Sequence, residues 1–173
     1  MNLLTGKVKR SKAGIEIDLH DTDAACEDMK KFNSEARITT VNLTKTRVGN
    51  KGIEYLSELP YLENLYLTES NITGECLKIL LKIPTLRRLS VGKCPVYDNH
   101  FYLLSNFKVL DRLIAYDTGM TDKGLLSLPQ INTLNIGNTP TTVQGLLNYL
   151  EKYPQSRFLN EYRLRRARWN RKA

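Results

Sequence analysis

The sequence predicts an α/β solenoid, with short parallel strands on a concave face and short helices on a convex face. Three observations carry this. Leu19, Leu43, Leu67, Val91 and Ala115 stand 24 residues apart. Each lies in the same local pattern: apolar, polar, apolar, two polar residues, then Thr, Ser or Cys. Each is followed by a second apolar stretch with a different spacing. A fixed period of about 20–50 residues marks a chain that stacks copies of one supersecondary unit.

The first element of a unit is a short strand. In the clearest copy it contains Leu65 and Leu67, preceded by Leu62 and followed by Ser70 and Ile72. The second is a turn at the Thr, Ser or Cys. The third is a helix of about two turns. Ile53, Leu56 and Leu59, then Leu77, Leu80 and Ile83, then Leu125 and Leu128 recur at intervals of three, which puts them on one helical face. Asn50, Gly74 and Asp122 stand at the starts. Pro60, Pro84, Pro129 and Pro154 end the units, because proline cannot continue a helix. Neither strand nor helix buries its apolar face alone, and stacking closes the core between them.

The pattern resembles leucine-rich repeats, read here as L-x-x-L-x-L-x-x-T/S/C-x-I. The run Thr121 to Leu126 is similar to the cysteine-containing and GALA-type subfamilies. The resemblance covers residues 14 to 154, about six repeats with a degenerate first copy, and implies a short horseshoe. It also implies that Thr46, Ser70, Cys94, Thr118 and Thr139 bond to neighbouring backbone in a ladder, so that Cys94 is a ladder residue rather than a nucleophile. Departures are local. Ala115 fills a position that is usually large. The next unit mark, Ile136, follows after 21 residues, so the helix near Leu125 is expected to be about one turn shorter. The repeat holding Tyr97 to His100 lacks the usual glycine.

Net charge is +8, unevenly placed. Residues 1–13 carry four bases and no acid, +4. Residues 155–173 carry seven bases and Glu161, +6. The body is then 8 − 4 − 6 = −2. Bulk basicity is therefore no argument that the repeats bind nucleic acid. Segments 1–13 and 155–173 are read as a basic N-terminal cap and a basic C-terminal capping helix or tail around a 14–154 repeat domain. No segment reaches the ~18 apolar residues of a membrane span. Only Leu3 and Leu4 precede the first basic run, so no secretory signal is expected. Cys26, Cys76 and Cys94 fall at different phases of the repeat, which points to reduced thiols and an intracellular, mainly cytoplasmic setting, with nuclear or organellar placement as alternatives. With His20 and His100 they complete no recognised zinc spacing, so no metal or cofactor is expected.

In a parallel stack, residues of equal phase form columns about 4.8 Å apart from strand to strand. Asp21, Lys45, Glu69, Lys93 and Asp117 alternate in sign, as do Glu63, Arg87 and Asp111. These columns are expected to satisfy themselves. The column Thr40, Asn64, Arg88, Arg112, Thr133 differs: two arginines are adjacent and no acid shares it. Unit charges ~5 Å apart repel by roughly 1 kcal/mol in water and roughly 3 at a surface dielectric. Tyr66, Ser90 and Ile114 form the central column beside them, with Tyr116 further on. Arg and Tyr are common interface anchors. Tyr66, Arg88, Ser90, Arg112, Ile114 and Tyr116 are therefore the candidate partner-binding residues, for a protein partner with an acidic surface. The competing reading is a solvated patch in which the arginines stack on the tyrosine rings. Asn42, Thr44, Asn135 and Gly137 flank the patch and are small or polar.

At the C-terminal end, Leu159 falls where a further repeat places its strand leucine. Leu159, Tyr162, Arg166 and Trp169 share a helical face, as a cap requires. Arg163, Arg165, Arg166, Arg168, Arg171 and Lys172 with an interleaved aromatic are the alternative, an arginine-rich arm for RNA or DNA. Nothing in the sequence supports catalysis: no nucleophile motif accompanies His20 or His100, and no phosphate-binding glycine loop is present. The resemblance thus implies a non-catalytic adaptor, monomeric by itself, that binds a protein on the concave face. The alternatives are a ribonucleoprotein component with basic ends on nucleic acid, and a host-directed bacterial effector or ubiquitin-ligase adaptor.

Overall fold

In the computed structural model, residues 6–32 and 34–159 are described. They form one eight-stranded sheet whose strands lie in chain order. The strands are β1 (Lys7–Ser11), β2 (Gly14–Asp18), β3 (Ile38–Asn42), β4 (Asn64–Tyr66), β5 (Arg88–Ser90), β6 (Arg112–Ile114), β7 (Thr133–Asn135) and β8 (Arg157–Phe158). All pairings from β2 to β8 are parallel. β1 is antiparallel to β2, so the chain begins the stack with a hairpin rather than a repeat. Every side chain of β1 is exposed, and its bases meet acids: Lys9–Glu16 at 3.5 Å and Arg10–Glu35 at 3.2 Å. A charged, exposed first strand discourages pairing with another sheet edge.

The 24-residue period appears directly as register. Val41, Leu65, Leu89, Leu113, Leu134 and Phe158 are aligned across six strands, and all are buried. Each such leucine contributes about 1.5–3 kcal/mol by leaving water. Leu43, Leu67, Val91, Ala115 and Ile136 form a second buried stripe just beyond the strands. The core runs as a ribbon between sheet and helices. Phe158, not Leu159, takes the last strand slot: Phe158 pairs with Leu134 and is buried, whereas Leu159 is 55% exposed. The aromatic ring wins the slot by packing edge-on against Tyr149.

The convex side carries α1 (Asn50–Leu56), α2 (Cys76–Leu80), α3 (Asp98–Phe101), α4 (Asp122–Ser127) and α5 (Val143–Lys152). A 3-10 helix, Cys26–Phe32, serves the degenerate first copy, and α3 continues into another, Tyr102–Asn106. The expected short helix near Leu125 is corrected. α4 has six residues, against seven in α1 and five in α2. What the short repeat loses is the turn before the proline. Ser57 and Glu58 separate α1 from Leu59, whereas the buried Leu128 follows α4 at once.

Candidate functional site

The sheet places the sequence-predicted patch at its centre. Arg88 and Arg112 are register partners on β5 and β6, with Asn64 and Thr133 on either side. The Asn64 amide donates to the Thr40 hydroxyl at 2.9 Å, which ties off that flank. Among the described residues, neither guanidinium has an ion pair, a hydrogen bond or a ring contact. Arg112 is half-buried and its Nε is shut off from solvent with no partner, whereas Arg88 is exposed. The competing picture of arginines stacked on tyrosines is not what the structure holds. Its cation–ring contacts are Lys30 on Tyr55 and Lys152 on Tyr153.

Tyr66, Ser90 and Ile114 are in register in the next column. Tyr66, Ile114 and Tyr116 are half-buried, so rings and an apolar branch line the surface. Ser90 belongs to the floor. It is 3% exposed and its hydroxyl is hydrogen-bonded to that of Thr68, itself buried. The Tyr116 ring lies over Gly92, where a Cβ would stand 2.7 Å from the ring. Sequence spacing put Ser90 beside Tyr66 and Ile114. It did not show that Ser90 is buried. Outside this centre the polar side chains turn inward: Asn42 Oδ1 accepts from the Thr44 amide at 3.1 Å, and Asn135 Oδ1 from the Gly137 amide at 3.3 Å.

The column of alternating charge has a second property that sequence reasoning missed. Asp21, Lys45, Glu69, Lys93, Asp117 and Asn138 all have positive φ, between 52° and 56°. A side chain in this left-handed region costs about 1–2 kcal/mol. One such residue stands three positions past the end of each of β2 to β7, where the chain swings into the turn. The available signal was negative: no β-branched or aromatic residue occupies the position. The expectation that these charges pair off is corrected, because among the described residues one pair in these two columns closes within 4 Å, Lys93 to Glu69 at 2.9 Å. Its hydrogen bond lowers the Glu69 carboxyl and raises the Lys93 amine from their ordinary values. Asp111 instead accepts from Asn132 at 2.6 Å.

The ladder residues close each turn on themselves. The hydroxyls of Thr46, Ser70, Thr118 and Thr139 donate to the carbonyl three residues back, at 2.7–2.8 Å. Cys94 reaches the preceding repeat, donating to the Leu67 carbonyl at 3.2 Å. It is buried, and burial pushes its thiol up, so it is a poor nucleophile. His100 is likewise structural: its ring covers Gly74, and Nδ1 accepts from the Tyr97 amide at 3.1 Å.

Arg163, Arg165, Arg166, Arg168, Arg171 and Lys172, proposed for nucleic acid, lie outside the described residues, as do Tyr162 and Trp169. Among the described residues no group of three or more His, Cys, Asp or Glu is placed to hold a metal ion, and no helix is long and apolar enough to cross a membrane.

No protein-family model matches the sequence, and no curated protein does. Solved structures do. A leucine-rich-repeat protein of Leptospira interrogans superposes with a TM-score of 0.56 at 16% identity, over 75% of this chain and 33% of that one. The mouse RP105/MD-1 complex gives 0.50 at 16% identity, over 80% of this chain and 29% of that one. The chain thus spans about a third of the length of each. With the observed register, the turn ladder and these likenesses together, the chain is a leucine-rich-repeat solenoid.

Proposed function

We propose that this chain is a non-catalytic interaction scaffold that holds a protein partner on the concave sheet face, around Tyr66, Arg88, Arg112, Ile114 and Tyr116. The observation that carries it is the contrast along the sheet. At the flanks, polar side chains are spent on one another or on backbone. At the centre, two guanidiniums have no partner and three large side chains are half-exposed. Arginine and tyrosine gathered at the centre of a surface are the usual carriers of binding energy. The face is broad rather than enclosed, which suits a protein better than a small molecule. Three free thiols, two of them buried, suit a reducing compartment.

The test uses the full chain as bait beside Tyr66→Ala/Ile114→Asp. Proteins cross-linked to the wild-type chain are expected to be lost from the variant at equal folded concentration. Retention of the same proteins would dismiss the concave face as the site.

A further inference from the structure

We propose that the recognised part of the partner is an acidic protein segment, with a carboxylate laid across the guanidiniums of Arg88 and Arg112. This rests on the concave face being the binding surface, and adds the chemistry of what it holds.

The argument is one of uncompensated charge. Arg88 and Arg112 are adjacent in register and share their column with Thr40, Asn64 and Thr133, none of them acidic. The neighbouring columns carry charges of both signs: Arg87 lies between Glu63 and Asp111 in the next column. Glu69 and Lys93 are paired in the turn column. Arg88 and Arg112 thus put two guanidiniums side by side at the centre, with no acid in their own column. That fork geometry suits carboxylate oxygens, which accept two parallel N–H bonds. The Nε of Arg112 also lacks a partner, beneath the surface. The Ser90 and Thr68 hydroxyls of the floor are buried and bonded to each other.

Two other occupants fit less well. A nucleic acid backbone carries charge at every step, so beyond the two arginines it would meet Glu63 and Asp111 of the neighbouring column, whereas a single carboxylate needs only the two guanidiniums. Ile114 and the Tyr66 and Tyr116 rings instead offer apolar contact to the side chains around an acidic residue. The chain's own residues 160–173 carry six bases against Glu161, so this patch repels them.

The test is selection of random twelve-residue peptides on the folded full chain, followed by titration of the enriched peptides. Enrichment in Asp and Glu is expected. Binding should fall at least tenfold in Arg88→Gln/Arg112→Gln and by an intermediate amount in Arg88→Lys/Arg112→Lys, which keeps the charge and loses the fork. It should be unchanged in the Gln variant of Arg163, Arg165, Arg166 and Arg168. Peptides without acidic enrichment that are lost on Ile114→Asp but indifferent to the arginines would overturn the acidic class and leave the binding face standing. Peptides indifferent to both variants, or no enrichment at all, would overturn both. A fifteen-nucleotide oligothymidylate bound through Arg88 and Arg112 as tightly as the best peptide would overturn the proposal in favour of nucleic acid.

Discussion

The imidazole of His100 lies over Gly74 so closely that a Cβ on Gly74 would stand 2.1 Å from Nδ1. Two other junctions between repeats solve the same problem with the sizes exchanged. There Asp98 and Asp122 project from the earlier repeat, and Gly124 and Gly145 make room for them. Each aspartate accepts from the amide and hydroxyl of the next repeat's Thr121 or Thr142, at 2.5–2.8 Å. Large meets small at every junction of the three, so the missing helix glycine of the third repeat is one half of a swap.

This swap predicts a coupled pair. Gly74→Asp alone is expected to destabilise by about 1–3 kcal/mol, through the clash with the ring. Adding His100→Gly should recover at least about 1 kcal/mol of that in urea melts. Strict additivity of the two changes would show that the contact does not limit stacking.

The left-handed column predicts a residue-specific pattern of stability. Lys45→Val is expected to cost about 1–2 kcal/mol, since a β-branched side chain is the least tolerated at positive φ. Lys45→Gly relieves the backbone and adds unfolded-state entropy, so it should fall between neutral and about 1 kcal/mol more stable. Equal effects of the two substitutions in denaturant titrations would contradict the assigned turn.

Arg88→Glu should separate stability from binding. It replaces a like-charge pair with Arg112 by an opposite pair, and a stability gain of about 0–1 kcal/mol is expected, shrinking as salt rises. Partner binding should be lost in the same variant. A loss of stability would mean that Arg88 already has a structural role.

The thiols should divide two to one. Burial pushes the Cys76 and Cys94 thiols up, while Cys26 is half-buried at the first junction. At pH 8 one thiol at most is expected to react quickly with a maleimide, and three after unfolding. The unfolded chain loses these protons first, so stability present below the ordinary thiol value of 9.0 declines as pH rises past it. Rapid modification of all three native thiols would overturn the burial of Cys76 and Cys94.

The period was enough to determine the repeat, the parallel order of strands, the buried register of Leu65, Leu89 and Leu113, and the neighbourhood of Arg88 and Arg112. Those properties follow from where a residue sits within its own unit, and the unit is local in sequence. The tertiary structure decided the rest. That Ser90 is floor rather than surface depends on its burial and on the bond of its hydroxyl to Thr68 of the preceding repeat. That Phe158 rather than Leu159 takes the last slot depends on the ring of Tyr149. The left-handed turns and the exchange of Gly74 and His100 depend on how far the chain must bend, and how much room the next copy leaves, at each junction. Such facts live at the junctions between units, where size and orientation, not spacing, set what fits.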